Sequence, residues 1–134
     1  MWRDMERLCA AHGLRFRVPS VFPRNGLLAA RIATAAEREP WLPDFVRNVF
    51  EANFADDRDI SDPDLLRELS SAEWLIRAQA PDTKQLLRER TEEAIRRGIF
   101  GAPSFVVGDE LFWGNDRLDQ AIAWSRRLIT SSVG

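Results

Sequence analysis

The segment from residue 98 to residue 117 constrains the fold of this 134-residue chain more than any other part of it. Gly98 follows a polar, helix-forming run and stands where the end of a helix favours a left-handed residue. Pro103 suits the start of a strand because it donates no hydrogen bond to a ladder. Gly108-Asp109 separates two apolar runs, and a two-residue loop that begins with glycine suits a primed hairpin turn. The segment therefore predicts a helix end, an antiparallel hairpin and a new helix, in that order.

Hydrophobic periodicity predicts helices over most of the remaining chain. The predicted helices are about 2–12, 25–39, 40–54, 63–69, 71–79, 81–97 and 115–129, and the hairpin strands are 104–107 and 110–113. Asn25 and Asp62 are placed as N-terminal caps, and Ser70 with Glu73 has the spacing of a capping box. We expect the helix that starts at Pro40 to be the most buried, because apolar side chains cover a wide arc of it. The fold class is α+β and mostly helical.

The composition bears on possible partners. Hydrophobic residues make up 45% and charged residues 30% of the chain, as in ordinary globular proteins. The net charge is −2 and the basic residues are scattered, so no basic surface favours nucleic acid. No apolar run is long enough to cross a bilayer, and the first six residues carry charges where a signal peptide would be apolar. We expect a cytoplasmic protein that binds neither nucleic acid nor membrane.

Cysteine and histidine each occur once, as Cys9 and His12. A single cysteine excludes a Cys-x-x-Cys couple and a disulfide within the chain, and one residue of each type cannot form an ordinary zinc site. Cys9 shares helical spacing with Trp2 and Met5, so we expect it to be a small packed side chain. His12 suits a solvated or capping position near a helix end. We assign no metal ligands and no catalytic residue.

The region around residue 103 resembles the branch of the DsbA-like thioredoxin superfamily that holds 2-hydroxychromene-2-carboxylate isomerases and kappa-class glutathione transferases. The Gly-x-Phe-Gly-x-Pro pattern of that family stands at 98–103, and its Gly-x-Asp-Arg pattern stands at 114–117. Further stretches that resemble the family lie upstream, at 1–4, 19–25, 59–63 and 91–94.

The resemblance implies the C-terminal half of a thioredoxin-like fold with a helical insertion and one β-hairpin. On this basis we expect a helical domain at 1–80. We expect the C-terminal half of a thioredoxin-like domain at 81–134, formed by a long helix, the hairpin and a terminal helix.

One pattern of the family is missing from this sequence. The reactive serine of the family lies near the end of an N-terminal strand, in a stretch such as Asp-x-x-Ser-Pro-Tyr, and this chain has no such stretch and no tyrosine. We therefore expect a shortened family member that lacks the N-terminal βαβ unit and the catalytic serine, and has little or no activity alone. An exposed strand edge would favour a homodimer or a larger assembly.

The resemblance also implies a cofactor and its binding residues. Similar enzymes use glutathione to isomerise a small aromatic electrophile in aromatic catabolism. The backbone before a cis-proline, here Ala102 before Pro103, would bind the cysteinyl moiety of glutathione. Asn115 and Asp116 stand where similar proteins bind the γ-glutamyl group, although the same residue types commonly cap helices.

Other residues and functions stay open at this point. Phe22, Phe112 and Trp113 could wall an aromatic pocket, but a place in the core is the more ordinary role for each. Arg24 and Asn25 could reach a substrate carboxylate. A DsbA-like thiol-disulfide oxidoreductase is one alternative, and it would need a Cys-x-x-Cys motif outside this sequence. A non-catalytic remnant that binds glutathione or a protein is another.

Overall fold

The computed structural model describes residues 1–132, which fall into two compact units: Met1–Leu87 and a second unit that begins at Arg88. Residues 133 and 134, the end of the expected 81–134 domain, lie outside the described residues. The helices of the first unit are α1 Trp2–Ala11, α2 Leu27–Ala35, α3 Leu42–Phe54, α4 Pro63–Leu69 and α5 Ala72–Gln79. Helix α6, Pro81–Arg96, crosses the division between the units. The second unit continues with β1 Ser104–Val107, β2 Glu110–Trp113, a 3-10 turn Asn115–Arg117 and α7 Leu118–Ser132.

The core of the first unit lies where α2 packs against its neighbouring helices. Ile32 on α2 and Leu66 on α4 are fully buried. The ring of Trp41 meets Phe45 edge-on at 5.9 Å and Trp74 at 5.0 Å between ring centroids. Burial of one large aliphatic side chain stabilises a fold by about 1.5–3 kcal/mol. These contacts hold the short helices together.

Helix α3 is less buried than its sequence predicts. Phe45 and Ala52 are buried, but Val46 is exposed and Phe50 keeps 60% of its surface accessible. The facing side of α2 presents small residues, which leave a gap beside Phe50. The second apolar row of α3 therefore borders an open cavity and does not join the core.

Of the two predicted N-terminal caps, the one at Asp62 lies where expected. The Asp62 carboxylate accepts a hydrogen bond of 2.9 Å from the amide of Asp64 at the start of α4. The Asn25 side-chain oxygen accepts from the amide of Leu27 at 3.0 Å, although Gly26 occupies the cap position. Helix α2 is shorter than predicted, since it ends at Ala35.

The predicted capping box at Ser70 is wrong. The Ser70 hydroxyl donates to the carbonyl of Leu66 at 2.6 Å, so Ser70 ends α4. Ser71 occupies the cap position of α5 without a side-chain cap hydrogen bond. The hydroxyl bonds to the preceding turn because Ser70 is the C-terminal cap residue of α4.

The hairpin of the second unit has the predicted strands and register. Ser104 pairs with Trp113 at the open end and Val107 with Glu110 beside the turn. The turn glycine has a φ of 59°, as a primed turn requires. Helix α7 packs on the hairpin through buried Ala121 and through Trp124. The mostly helical α+β fold class is confirmed.

Candidate functional site

The hairpin extends by one residue pair beyond its two strands. The Gly114 amide donates a hydrogen bond of 2.9 Å to the Pro103 carbonyl. The residues that flank this pair, Ala102 and Asn115, are therefore close in space, within about 13 Å between Cα atoms. The structure thus brings together the four residues singled out from the sequence for glutathione, which are Ala102, Pro103, Asn115 and Asp116.

The backbone of Ala102 offers free hydrogen-bonding groups. The Ala102–Pro103 peptide bond is cis, as the resemblance implies, and Ala102 is exposed. Among residues 1–132, neither the amide nor the carbonyl of Ala102 has a hydrogen-bond partner. An extended peptide binds to backbone groups of this kind by main-chain hydrogen bonds. A second cis bond, between Phe22 and Pro23, was not anticipated from the sequence.

Asn115 and Asp116 are exposed at the start of the turn that leads into α7. Gly114 occupies the cap position of that turn, which has no side-chain cap hydrogen bond. Within the described part of the chain the side chains of Asn115 and Asp116 make no ion pair or hydrogen bond, so neither has the capping bond that their residue types also favour. The Asp116 carboxylate lies over Gly114, where a Cβ atom would come within 2.6 Å of its Oδ1.

Two exposed aromatic rings lie beside Gly101, the residue that precedes Ala102. Trp113 keeps 54% of its surface accessible and Phe100 keeps 72%, and their ring centroids are 5.1 Å apart. The indole of Trp113 covers Gly101 so closely that a Cβ atom there would overlap its Nε1. Sequence reasoning favoured a core role for Trp113 and missed Phe100. The signal that could have found Phe100 is its place just before Gly101-Ala102-Pro103, outside any predicted helix or strand face.

The other aromatic candidates are packed against neighbours. Phe112 is half-buried with its ring 6.5 Å from that of Trp124, since side chains alternate faces along β2 and α7 covers only one face. Phe22 in the first unit meets Trp2 edge-on at 4.8 Å and is half exposed.

Arg24 belongs to a buried ion pair and is not free to reach a ligand. Its side chain is 6% exposed, and its Nη2 lies 2.6 Å from a carboxylate oxygen of Asp57. Its Nη1 donates to the Asn53 side-chain oxygen at 3.0 Å. The Ser20 amide, the Arg24 guanidinium and the Ser20 hydroxyl all donate to Asp57 and lower the pKa of its carboxyl to about 2. Sequence reasoning missed Asp57, whose only local signal is the polar run at 56–59.

The single cysteine and the single histidine lie on or beside α1. Cys9 is half-buried, and His12 is exposed at the C-terminal cap position. Across residues 1–132 no cluster of three or more potential ligand side chains is arranged to hold a metal ion. No helix in the same part of the chain has the length and apolar character to cross a membrane.

Comparisons with known proteins agree with the family resemblance found in the sequence. The 2-hydroxychromene-2-carboxylate isomerase of Sphingobium xenophagum is 56% identical over 32 residues, which are 24% of this chain and 16% of that protein. The isomerase of the same name from Pseudomonas putida is 57% identical over 30 residues, which are 22% of this chain and 15% of that protein. The aligned segments thus span about a sixth of these curated relatives.

A solved structure and a family model cover far more of the chain. A selenomethionine 2-hydroxychromene-2-carboxylate isomerase superposes with a TM-score of 0.74 and 24% sequence identity, over 97% of this chain and 66% of that chain. This likeness shows the fold. The model of the DSBA-like thioredoxin domain matches residues 1–122. Because that match extends over nearly the whole sequence, the chain belongs to the DSBA-like thioredoxin domain family.

Proposed function

We propose that the hairpin base of this chain is the docking site for glutathione in an isomerase that acts on a small aromatic electrophile. The observation that carries the proposal is the Gly114–Pro103 hydrogen bond, which holds the unpartnered Ala102 backbone beside Asn115 and Asp116. The names of the curated relatives support the reaction class.

The chain's own groups fit two of the three residues of glutathione, the cysteinyl and the γ-glutamyl residue. The amide and carbonyl of Ala102 would pair with the main chain of the cysteinyl residue. The Asp116 carboxylate would bind the ammonium of the γ-glutamyl group by a charge-assisted hydrogen bond. The Asn115 side-chain amide would donate to the α-carboxylate of the same γ-glutamyl group. When bound, glutathione supplies a thiol whose thiolate form is the nucleophile.

The Phe100 and Trp113 rings are the proposed contact for the aromatic substrate. Tilted rings beside an exposed backbone offer an apolar surface on which a further ring can pack. The Ser104 hydroxyl, next to Pro103 in sequence, donates to the Gly101 carbonyl at 2.5 Å and so is not free to stabilise a thiolate. We assign no catalytic residue and expect this chain alone to bind glutathione with little or no turnover.

Two further parts of the proposal concern setting and assembly. We propose a cytoplasmic location and a homodimer or larger assembly. The thiol-disulfide oxidoreductase alternative gains no support from Cys9, because it is the one cysteine of the sequence and lies half-buried on α1.

Calorimetric titration of the full chain with glutathione tests the site, with the dipeptide Cys-Gly as the matched ligand that lacks the γ-glutamyl group. The D116N substitution should weaken glutathione binding about two- to fivefold, as expected for loss of an exposed ion pair, and leave Cys-Gly binding unchanged. The control D119N removes an exposed carboxylate one turn further along and should change neither. Equal affinity of the wild type for both ligands would overturn the assignment of Asp116.

A further inference from the structure

A cavity in the first unit has no part in the proposed glutathione site. It has a volume of about 320 Å³ and lies half open between α2 and α3. The α2 wall consists of small residues, Gly26, Ala29, Ala30 and Ala33, so this side is nearly flat. The volume falls at the lower end of the range of small-molecule pockets. The cavity therefore has the size and shape for one flat ligand of about two fused rings.

The opposite wall offers aromatic faces. The rings of Phe50 and Phe54 on α3 are stacked, 16° from parallel with centroids 6.2 Å apart. Phe50 keeps 60% of its surface accessible although it lines the cavity. A planar apolar ligand would cover this surface, and the removal of apolar surface from water favours binding.

One polar residue lines this apolar cavity. Asn53 lines the cavity and is only 6% exposed. Its side-chain oxygen accepts from Arg24, and because a guanidinium can only donate, the Asn53 Nδ2 must be the atom that faces away from Arg24.

The Nδ2 group of Asn53 has no protein acceptor. No hydrogen bond from Nδ2 is found in the described part of the chain. Every fully buried side-chain polar atom in that part has a hydrogen-bond partner. Nδ2 therefore keeps accessible surface, and the cavity is the space that its residue lines. An amide donor in an apolar site favours a ligand with one matching acceptor.

We propose that this cavity binds a planar two-ring aromatic molecule that carries one hydrogen-bond acceptor, such as a carbonyl oxygen, for the Asn53 amide. The site is complete within residues 26–60. It needs neither glutathione nor the hairpin, so its test is independent of the proposed function.

Calorimetric titration of the full chain with two ligands of nearly equal shape tests the acceptor. These are 2-acetylnaphthalene, which has a carbonyl oxygen, and 2-ethylnaphthalene, which has none. The carbonyl ligand should bind about tenfold more tightly, the equivalent of one net hydrogen bond. Failure of both ligands to bind, or equal binding of the two, would overturn the proposal.

Substitutions locate the ligand. N53D keeps an acceptor for Arg24 but replaces the donor Nδ2 with an oxygen, so the tenfold difference between the ligands should disappear. The control N48D makes the same change at an exposed position of α3 and should keep that difference. A30L fills the cavity and should weaken both ligands at least tenfold, with circular dichroism to verify the fold. Unchanged binding in A30L, or a preserved difference in N53D, would contradict the assignment.

Discussion

The Gly114 amide donates a hydrogen bond of 2.9 Å to the Pro103 carbonyl and so joins the two segments that flank the hairpin. In an antiparallel pair, hydrogen-bonded and non-hydrogen-bonded residue pairs alternate. The Pro103–Gly114 bond therefore places the amides of Ser104 and Val106 on the outer edge of β1. The same bond sets the position of Ala102 relative to Asp116.

Replacement of Gly114 should damage the glutathione site. Gly114 has a φ of 112°, and a Cβ atom would come within 2.6 Å of Asp116 Oδ1. We expect G114A to lower the free energy of unfolding by about 1–3 kcal/mol, the usual cost of a strained backbone, and to displace the Asp116 carboxylate. Urea unfolding measures the first effect and glutathione titration the second.

The control for Gly114 is G98A. Gly98 also has a positive φ, 77°, but nothing lies within 4 Å of its would-be Cβ. This variant should lose about 1–2 kcal/mol of stability and keep its glutathione affinity. An equal loss of glutathione affinity in G114A and G98A would show that Gly114 does not act by positioning the Asp116 carboxylate.

The outer edge of β1 should mediate self-association. Residues 104–107 carry no charge or proline that would block pairing with another strand. We expect V106P to weaken self-association about tenfold, because it removes an outward amide without removing a bond to β2. Sedimentation velocity at tens of micromolar gives the distribution of species. V106T keeps the amide and should assemble like the wild type, and a monomeric wild type would refute the prediction.

Acid should destabilise the first unit through Asp57. Hydrogen bonds, first of all from the Ser20 amide, lower the pKa of the Asp57 carboxyl from 3.8 to about 2. The folded state therefore binds this proton more weakly than the unfolded chain does. The stabilisation of the folded state by the Asp57 carboxylate is fully present above pH 3.8 and is lost as the pH falls towards about 2.

D57N should reduce the change in unfolding free energy between pH 3.8 and about 2. Asparagine tolerates the positive φ of 54° at this position, so the substitution chiefly removes the charge. Urea unfolding followed by circular dichroism between pH 5 and pH 2 gives the slope. S20A keeps the main-chain donor and should retain most of the wild-type slope. An identical slope in wild type and D57N would refute the role of Asp57.

Core packing in the first unit should respond strongly to a change at Ile32. Ile32 is fully buried, so I32A should cost about 2–5 kcal/mol in unfolding free energy. Ile76 in the same unit is 74% exposed, and I76A should change stability by about 0.5 kcal/mol or less. Urea unfolding compares the two, and similar losses would contradict the packing described.

Local chemistry explains which predictions from the sequence were confirmed. The strands at 104–107 and 110–113 follow from a turn at Gly108-Asp109, whose backbone preference acts within a few residues. The Asp62 cap is likewise local, because it depends on a hydrogen bond between residues only two apart in the sequence. The DsbA-like family could be recognised because its two most specific motifs, at 98–103 and 114–117, lie in one short segment.

Long-range packing decided what the sequence alone could not. Trp113 and Phe112 are adjacent apolar residues of β2, and only the placement of α7 on one face makes Phe112 half-buried and leaves Trp113 exposed. Asp57 and Arg24 are 33 residues apart, so their ion pair has no local signature. Sequence by itself determined the hairpin, the helices and the family, because turn, cap and periodicity preferences are local. Tertiary structure decided which side chains became accessible, because accessibility depends on what packs against each face.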